Sequence, residues 1–584
     1  MTAEANPSPT AARILDGYPA WVAEYDTPTA ADREAIAAHV ERLSYKPTIA
    51  LLLPLGFGTP GGAADTLTSL LAQLYPRWDL CVIGESAAED DAIDTAARTN
   101  PRIRRLPGAF ADVAEAANAA LADQDAPFTA ILLPGERLAA QALYEVAVAL
   151  GAHPGTDLLF TDEDVMDPAG GRSAPRFKLG WDPDLLLAED CIGALAVWRT
   201  QVLRDAGGLR AGFGGAARYD LALRATRAIL PDAIRHLPAV LLHRPAEEER
   251  ELRDRMLGAD NEAARRAVRE RLGEDARIEP APLWPQANRV IWALPDPPPL
   301  VSVIVPTRDR AALLAACAWG VLLHTDYPAI ELLIIDNDSR EDLTAATLRD
   351  LSADPRVRIL RHPGPFNFAA INNAAVEQAS GEIVVLLNND VEVAHRDWLR
   401  EMVSHALRPD VGAVGAKLLY GDGTLQHGGI VFGPGLAATY VLRRATRVDP
   451  GYGGQLAVTR TLLAVTGACL AMRRDVYREV GGLNAERFAI AFNDLDLCLR
   501  LGEYGYRIVW TPFAELFHRE SATRGLPDTP EKQARDAIEV NNLWYSWNHI
   551  FSSDPFHNIN LTCDWLTPLH LCAPRRRRPW QTEA

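Results

Sequence analysis

The chain has 584 residues, 48% of them hydrophobic and 23% charged, which is enough for about two to four domains with sizeable cores. Its 59 Lys and Arg against 77 Asp and Glu give a formal net charge of −18, excluding a nucleic-acid binder that works by neutralising phosphates. Seven scattered cysteines with no CxxC pair exclude a zinc knuckle or a disulfide framework and read as free thiols in a reducing compartment.

The opening residues lack a basic start followed by an apolar run, so no signal peptide is expected. Gly423–Leu442 is the longest stretch without Asp, Glu, Lys or Arg, and its five glycines make it a poor membrane span. These features predict a soluble, cytosolic protein. Residues 1–45 form a helical lead, in which ADREAIAAHVERL sets apolar positions at helical spacing.

A repeat then organises the chain. Thr48–Asp91 and Val301–Asp342 both run as an apolar strand ending in Pro, a helical stretch, a Tyr-Pro turn and a second apolar strand. Ile192–Leu209 matches Thr466–Leu483, Tyr219–Arg224 matches Leu495–Arg500, and His243 falls opposite His518. Each half alternates strands such as VSVIV, ELLII, VRIL and EIVVLL with helices near Ala311–Leu323, Ala369–Gln378 and Arg396–Leu407. This α/β alternation predicts two tandem modules, 46–278 and 301–525, each a Rossmann-like, mostly parallel sheet that binds ligands beyond its strand ends. The Pro-rich Glu279–Leu300 reads as an extended linker, and 526–584 as a helical segment with a basic tail. Thr161–Asp167, TDEDVMD, reads as a solvated acidic loop, with a binding role as the alternative.

Four constellations in the second half sit where strands exit such a sheet. Thr307 and Arg308 follow the first strand, and Asp336-Asn337-Asp338 ends the second, where a carboxylate either caps the turn or meets a base or ribose. Strand Glu382–Leu387 runs into Asn388-Asn389-Asp390, and a carboxylate at that tip either closes a turn or holds Mg²⁺ or Mn²⁺ against a diphosphate. Asn493-Asp494 opens an amphipathic helix, so Asp494 is either a cap or a general base. His518 follows as a candidate metal ligand.

In series, VSVIVPTRDR, IIDNDS, GPFNFAAINNAA, LLNNDVEV, VGAVGAKLLYGDGTLQHGG, FNDLDLCLRLGEYGYRIVWTP and ELFHRES resemble the inverting family 2 glycosyltransferases of GT-A fold. The resemblance is strongest to the bacterial rhamnosyltransferase and O-antigen or polysaccharide biosynthesis group. It implies two tandem GT-A modules, the second catalytic, moving a sugar from a nucleotide donor to a growing surface glycan or lipid-linked acceptor. The donor implied is dTDP-rhamnose, with a UDP-hexose as the alternative, and a non-catalytic scaffold is the reading from another class. Asp336, Asp338, Thr307, Arg308, Asn388 and Asn389 would line the nucleotide-sugar pocket. Asp390 and His518 would hold the divalent cation (Mg or Mn), and Asp494 would be the base.

In the first half the same slots hold Gly84-Glu85-Ser86, Pro134-Gly135-Glu136 and Ala217-Arg218. Arg cannot take a proton at neutral pH, so that module reads as degenerate. Arg575–Arg578 beside Trp580 offers either a peripheral contact with the inner membrane face or a solvated tail.

Overall fold

The computed structural model describes residues 17–85, 90–246, 259–434, 437–519, 529–563 and 569–581. The helical lead comprises Tyr18–Tyr25 and Ala30–Arg42, the second capped by a reciprocal Thr29–Asp32 box. Residues 1–16 of that predicted lead, Ser86 in the first module and the predicted boundary at 525/526 lie outside the described residues.

The first sheet is built from β1 (Ile49–Pro54), β2 (Trp78–Ile83), β3 (Ile103–Leu106), β4 (Phe128–Ile131), β5 (Arg137–Leu138), β6 (Leu158–Met166), β7 (Arg172–Arg176), β8 (Ala196–Arg199) and β9 (Ile234–Pro245). Its order is β3-β2-β1-β4-β8-β6-β9-β5, with β7 beside β6. A hairpin follows, β10 (Ala276–Ala281) and β11 (Trp284–Trp292).

The second sheet uses β12 (Val301–Thr307), β13 (Ile330–Asp336), β14 (Val357–Arg361), β15 (Ile383–Leu387), β16 (Val391–Val393), β17 (Val411–Leu419) and β18 (Leu425–His427). A small hairpin, β19 (Ile430–Gly433) and β20 (Ala437–Tyr440), precedes β21 (Arg460–Leu462), β22 (Cys469–Arg473) and β23 (Arg507–His518). The order β14-β13-β12-β15-β22-β17-β23-β16 repeats that of the first sheet, with the same sense at every equivalent joint. Both sheets are parallel through their first four strands and at the β6–β9 and β17–β23 joints, and antiparallel at the rest. The two-module α/β architecture is therefore as the sequence predicts.

The period of two is visible in the packing. Val303, Val305, Leu332 and Ile334 join the core on one face of the second sheet, whereas Ile304, Leu333 and Ile335 join the core on the other. Strands buried on both faces read as unbroken apolar runs, and helices cover both sides.

Three segments differ from the sequence reading. The predicted linker is not extended over its first half: Ile278, Ala281 and Ala287 are buried in the first module's core, so 276–292 pairs as a hairpin. The acidic run is not a solvated loop but part of β6, with Asp162, Glu163 and Asp164 buried. Each acid has partners. Asp162 accepts from Lys178 N, His236 Nε2 and Asn558 Nδ2, and Glu163 pairs with Lys178 Nζ at 2.8 Å. Asp164 accepts from the Tyr18 hydroxyl at 2.7 Å, from Arg172 and from His243.

The basic tail folds back onto the first module. Arg576 pairs with buried Glu145, Arg578 donates to Tyr25 O, Arg575 donates to Leu561 O and Trp580 Nε1 donates to Asp32 at 2.6 Å. Of the four arginines only Arg577 is exposed, so the tail presents one cation rather than a basic patch. Arg576→Ala strands the Glu145 carboxylate and is expected to lower stability by about 1–3 kcal/mol in thermal unfolding. No helix among the described residues is long and apolar enough to cross a membrane.

The modules share an interface made by buried acids. Asp184 bonds Arg408 and Arg507 at 2.5 Å each, and Asp182 accepts from the Thr461 N–H and hydroxyl. Arg289 of the hairpin reaches Glu401 at 3.2 Å and lies over Phe513.

Candidate functional site

Because β12, β13 and β15 run parallel, Thr307, Asp336 and Asn388 emerge at one edge of the second sheet. Thr307 and Asp336 are register partners, and both are buried. Asp336 Oδ1 caps the turn by accepting from Ser339 N at 3.0 Å, and Oδ2 has no partner among the described residues. Asp338 is exposed and accepts from Gly364 N at 2.9 Å, while Arg308 is exposed beside them. Seven non-glycine residues among those described have left-handed backbone, and four of them (Asp309, Arg310, Asp338 and Phe492) flank this edge. Such strain persists where the surrounding structure enforces it, as functional loops do.

Asn389 lies at the same strand end, in contact with Thr307. It is buried, as Asp390 is, and its amide donates to Thr307 Oγ1 at 3.0 Å. That bond orients the Thr307 hydroxyl.

Asp390 and His518 come together through strand pairing. Val391 in β16 is the register partner of His518 in β23, which brings Asp390 Oδ1 to 3.2 Å from His518 Nε2. Asn388 Nδ2 lies 3.4 Å from the same nitrogen. Gln426 Oε1 meets His518 Nδ1 at 2.7 Å.

Asp494 opens helix Asn493–Glu503 after the left-handed Phe492. Its carboxylate accepts from Gly467 N at 2.8 Å and from Leu495 N at 2.9 Å. Burial raises its pKa above the ordinary carboxylate value, against the opposing effect of those donors and of the Thr466 hydroxyl. The approach favours glycine, since a Cβ on Gly467 would sit a tight 3.3 Å from the Asp494 Cβ. The neighbouring Asp496 is structural, held by Arg500 and the Trp547 indole.

The two halves touch. Asn388 N donates to Ala468 O, next to Gly467, so Asn388 and Asp494 flank one short loop. The sequence singles out Asp390, His518 and Asp494 as candidates, but not Gln426, His427, Thr466 and Gly467, which the structure sets beside them. The Gln-His pair ahead of two glycines in TLQHGG was the available signal.

A divalent cation fits Asp390 and His518. Two atoms sharing one ion at about 2.1 Å each stand roughly 3 Å apart, close to the separation seen. No group of three or more His, Cys, Asp or Glu side chains converges among the described residues, so the protein side of such a site is sparse. Hard cations held by few side chains fill their shells with phosphate oxygens and water.

In the first module Arg137 in β5 pairs with His243 in β9, so Glu136 and His243 occupy the equivalents of Asp390 and His518. There Arg218 forms a two-pronged ion pair with Glu136, at 2.7 and 3.0 Å, and His243 turns to Asp164. A guanidinium from the Asp494 position thus neutralises the carboxylate at the Asp390 position.

Residues 302–481 match the model of the Glycosyl transferase family 2 family. An O-antigen biosynthesis protein of Myxococcus xanthus, RfbC, is 37% identical over 559 residues, covering 94% of this chain and 43% of its own. An uncharacterised protein of Sinorhizobium fredii, y4gI, is 37% identical over 546 residues, covering 91% of this chain and 60% of its own. The chain therefore spans about half the length of these two relatives. An N-acetylglucosaminyl-diphospho-decaprenol L-rhamnosyltransferase of Mycobacterium tuberculosis is 26% identical over 252 residues, covering 39% of this chain and 78% of its own.

Proposed function

We propose that the second module is an inverting, GT-A-type glycosyltransferase that moves a sugar from a nucleotide donor to a surface-glycan or lipid-linked acceptor. The observation that carries the reading is the meeting of Asp390 and His518 with a half-buried Asp494 around the Thr466–Ala468 loop. Thr307, Arg308, Asp336 and Asp338 line the donor side, with the unpartnered Asp336 Oδ2 available to a base or ribose hydroxyl. Asp390 and His518 hold the cation, with Asn388 beside them. A divalent cation bound there supplies positive charge against the leaving diphosphate.

Asp494 takes the proton of the acceptor hydroxyl as that oxygen attacks the anomeric carbon from the face opposite the diphosphate. One displacement inverts configuration, and no second carboxylate is needed as nucleophile. Rhamnose from dTDP-rhamnose is the leading donor, supported by the rhamnosyltransferase and O-antigen relatives. The first module is a duplicated, non-transferring copy, because Arg218 occupies the base position and neutralises Glu136.

Calorimetry against dTDP- and UDP-sugars with Mn²⁺ or Mg²⁺ tests this. The expected result is one saturable, metal-dependent site per chain, lost in Asp390→Asn and preferring a dTDP donor. Two equivalent sites, or binding untouched by Asp390→Asn, would refute it.

A further inference from the structure

We propose that Gln426 and His427, consecutive residues of β18, are positioning residues that separately brace the cation half and the base half of the site. The inference rests on the roles proposed for Asp390, His518 and Asp494. Successive side chains of a strand point to opposite faces, so one dipeptide can serve both sides of the loop. Both residues are almost fully buried.

Gln426 fixes one proton. Its amide nitrogen donates to His518 O at 3.4 Å, which leaves Oε1 to face His518 Nδ1 at 2.7 Å. An amide oxygen only accepts, so Nδ1 carries the hydrogen and Nε2 presents its lone pair beside Asp390. That is the tautomer able to ligate. Without this acceptor the proton is free to move to Nε2 and donate to Asp390 Oδ1, 3.2 Å away, closing the site on itself.

His427 fixes a loop. Its Nδ1 faces Ala416 O at 3.1 Å and its Nε2 accepts from Thr466 N at 3.2 Å, which only the neutral Nδ1–H form satisfies. Burial pushes its pKa down to about 4, consistent with that form. The anchored Thr466 and Gly467 then aim a hydroxyl and an N–H at the Asp494 carboxylate. His427 acts only through this loop.

Nitrogen-15 NMR of histidine-labelled wild-type protein, without nucleotide or metal, is expected to give the Nδ1–H tautomer at both His518 and His427. Mn²⁺ titration followed by EPR is expected to show Gln426→Leu binding about 10–100-fold more weakly. Gln426→Glu, which keeps an acceptor opposite Nδ1, is expected to restore most of that affinity. His427→Leu is expected to keep Mn²⁺ affinity, lower kcat, and move the acid limb of the kcat–pH profile upward as Asp494 loses its donors. An Nε2–H tautomer at either histidine overturns the proposal for that residue. Wild-type Mn²⁺ affinity in Gln426→Leu, alongside loss of binding in Asp390→Asn, overturns the bracing role and leaves the site intact. Unchanged affinity in both variants overturns the proposed site together with the brace.

Discussion

Asp494→Asn is expected to lower kcat by about 10²–10⁴-fold, the usual worth of a positioned general base. Nucleotide and metal binding should persist, because the side chain meets Gly467 N and Leu495 N rather than the Asp390–His518 pair. The fold should be modestly destabilised, because each carboxylate oxygen accepts a backbone N–H and an amide can accept only one of the two. Burial makes the ionised carboxylate costly, as its raised pKa records, so removal of that charge offsets part of the lost bonding. In the wild type the rate should fall as pH drops through a value above the ordinary carboxylate range, because only ionised Asp494 accepts a proton. Single-turnover kinetics with a nucleotide-binding control check this, and a variant with full kcat removes the assignment.

The second large effect is on stability. Asp184→Asn leaves Arg408 and Arg507 without the carboxylate that joins the modules, and should destabilise by about 3–5 kcal/mol. Burial opposes the charge of Asp184, but the guanidiniums of Arg408 and Arg507 outweigh it and hold its pKa below the usual range. A depressed carboxylate gives its full stabilisation above its unfolded value of about 3.9 and loses it as pH falls toward the folded value. Denaturant unfolding should therefore show a wide gap between wild type and variant at neutral pH, narrowing below pH ~4. A gap that widens on acidification would contradict the ion-pair account.

Much of the architecture is legible in single segments. Strands such as Val301–Thr307 and Ile383–Leu387 read directly because they are buried on both faces and carry no alternation to misinterpret. Asp390, His518 and Asp494 stood out because a carboxylate or imidazole at a strand or helix end is chemically conspicuous. The residues that support them did not, since Gln426 and His427 act through partners 92 and 39 positions away. The same non-locality hid the acidic run. Asp164 meets Tyr18 across 146 residues and Asp162 meets Asn558 across 396, and nothing within TDEDVMD reveals either. Proline in the 279–300 region masked a hairpin for a related reason, because Ile278 opposite Val290 is a pairing that local composition does not encode.

The threading of Asn558 and Arg576 back onto the first module has a consequence for biosynthesis. During vectorial synthesis β6 emerges long before residues 558–576, so Asp162 lacks one of its three donors and Glu145 its cation until those residues follow. The first module therefore emerges with Glu145 lacking its ion-pair partner, and its packing is completed only once residues 558–576 have been made. Chains truncated between residues 519 and 558 should consequently be cleared by proteolysis faster than those that reach residue 576.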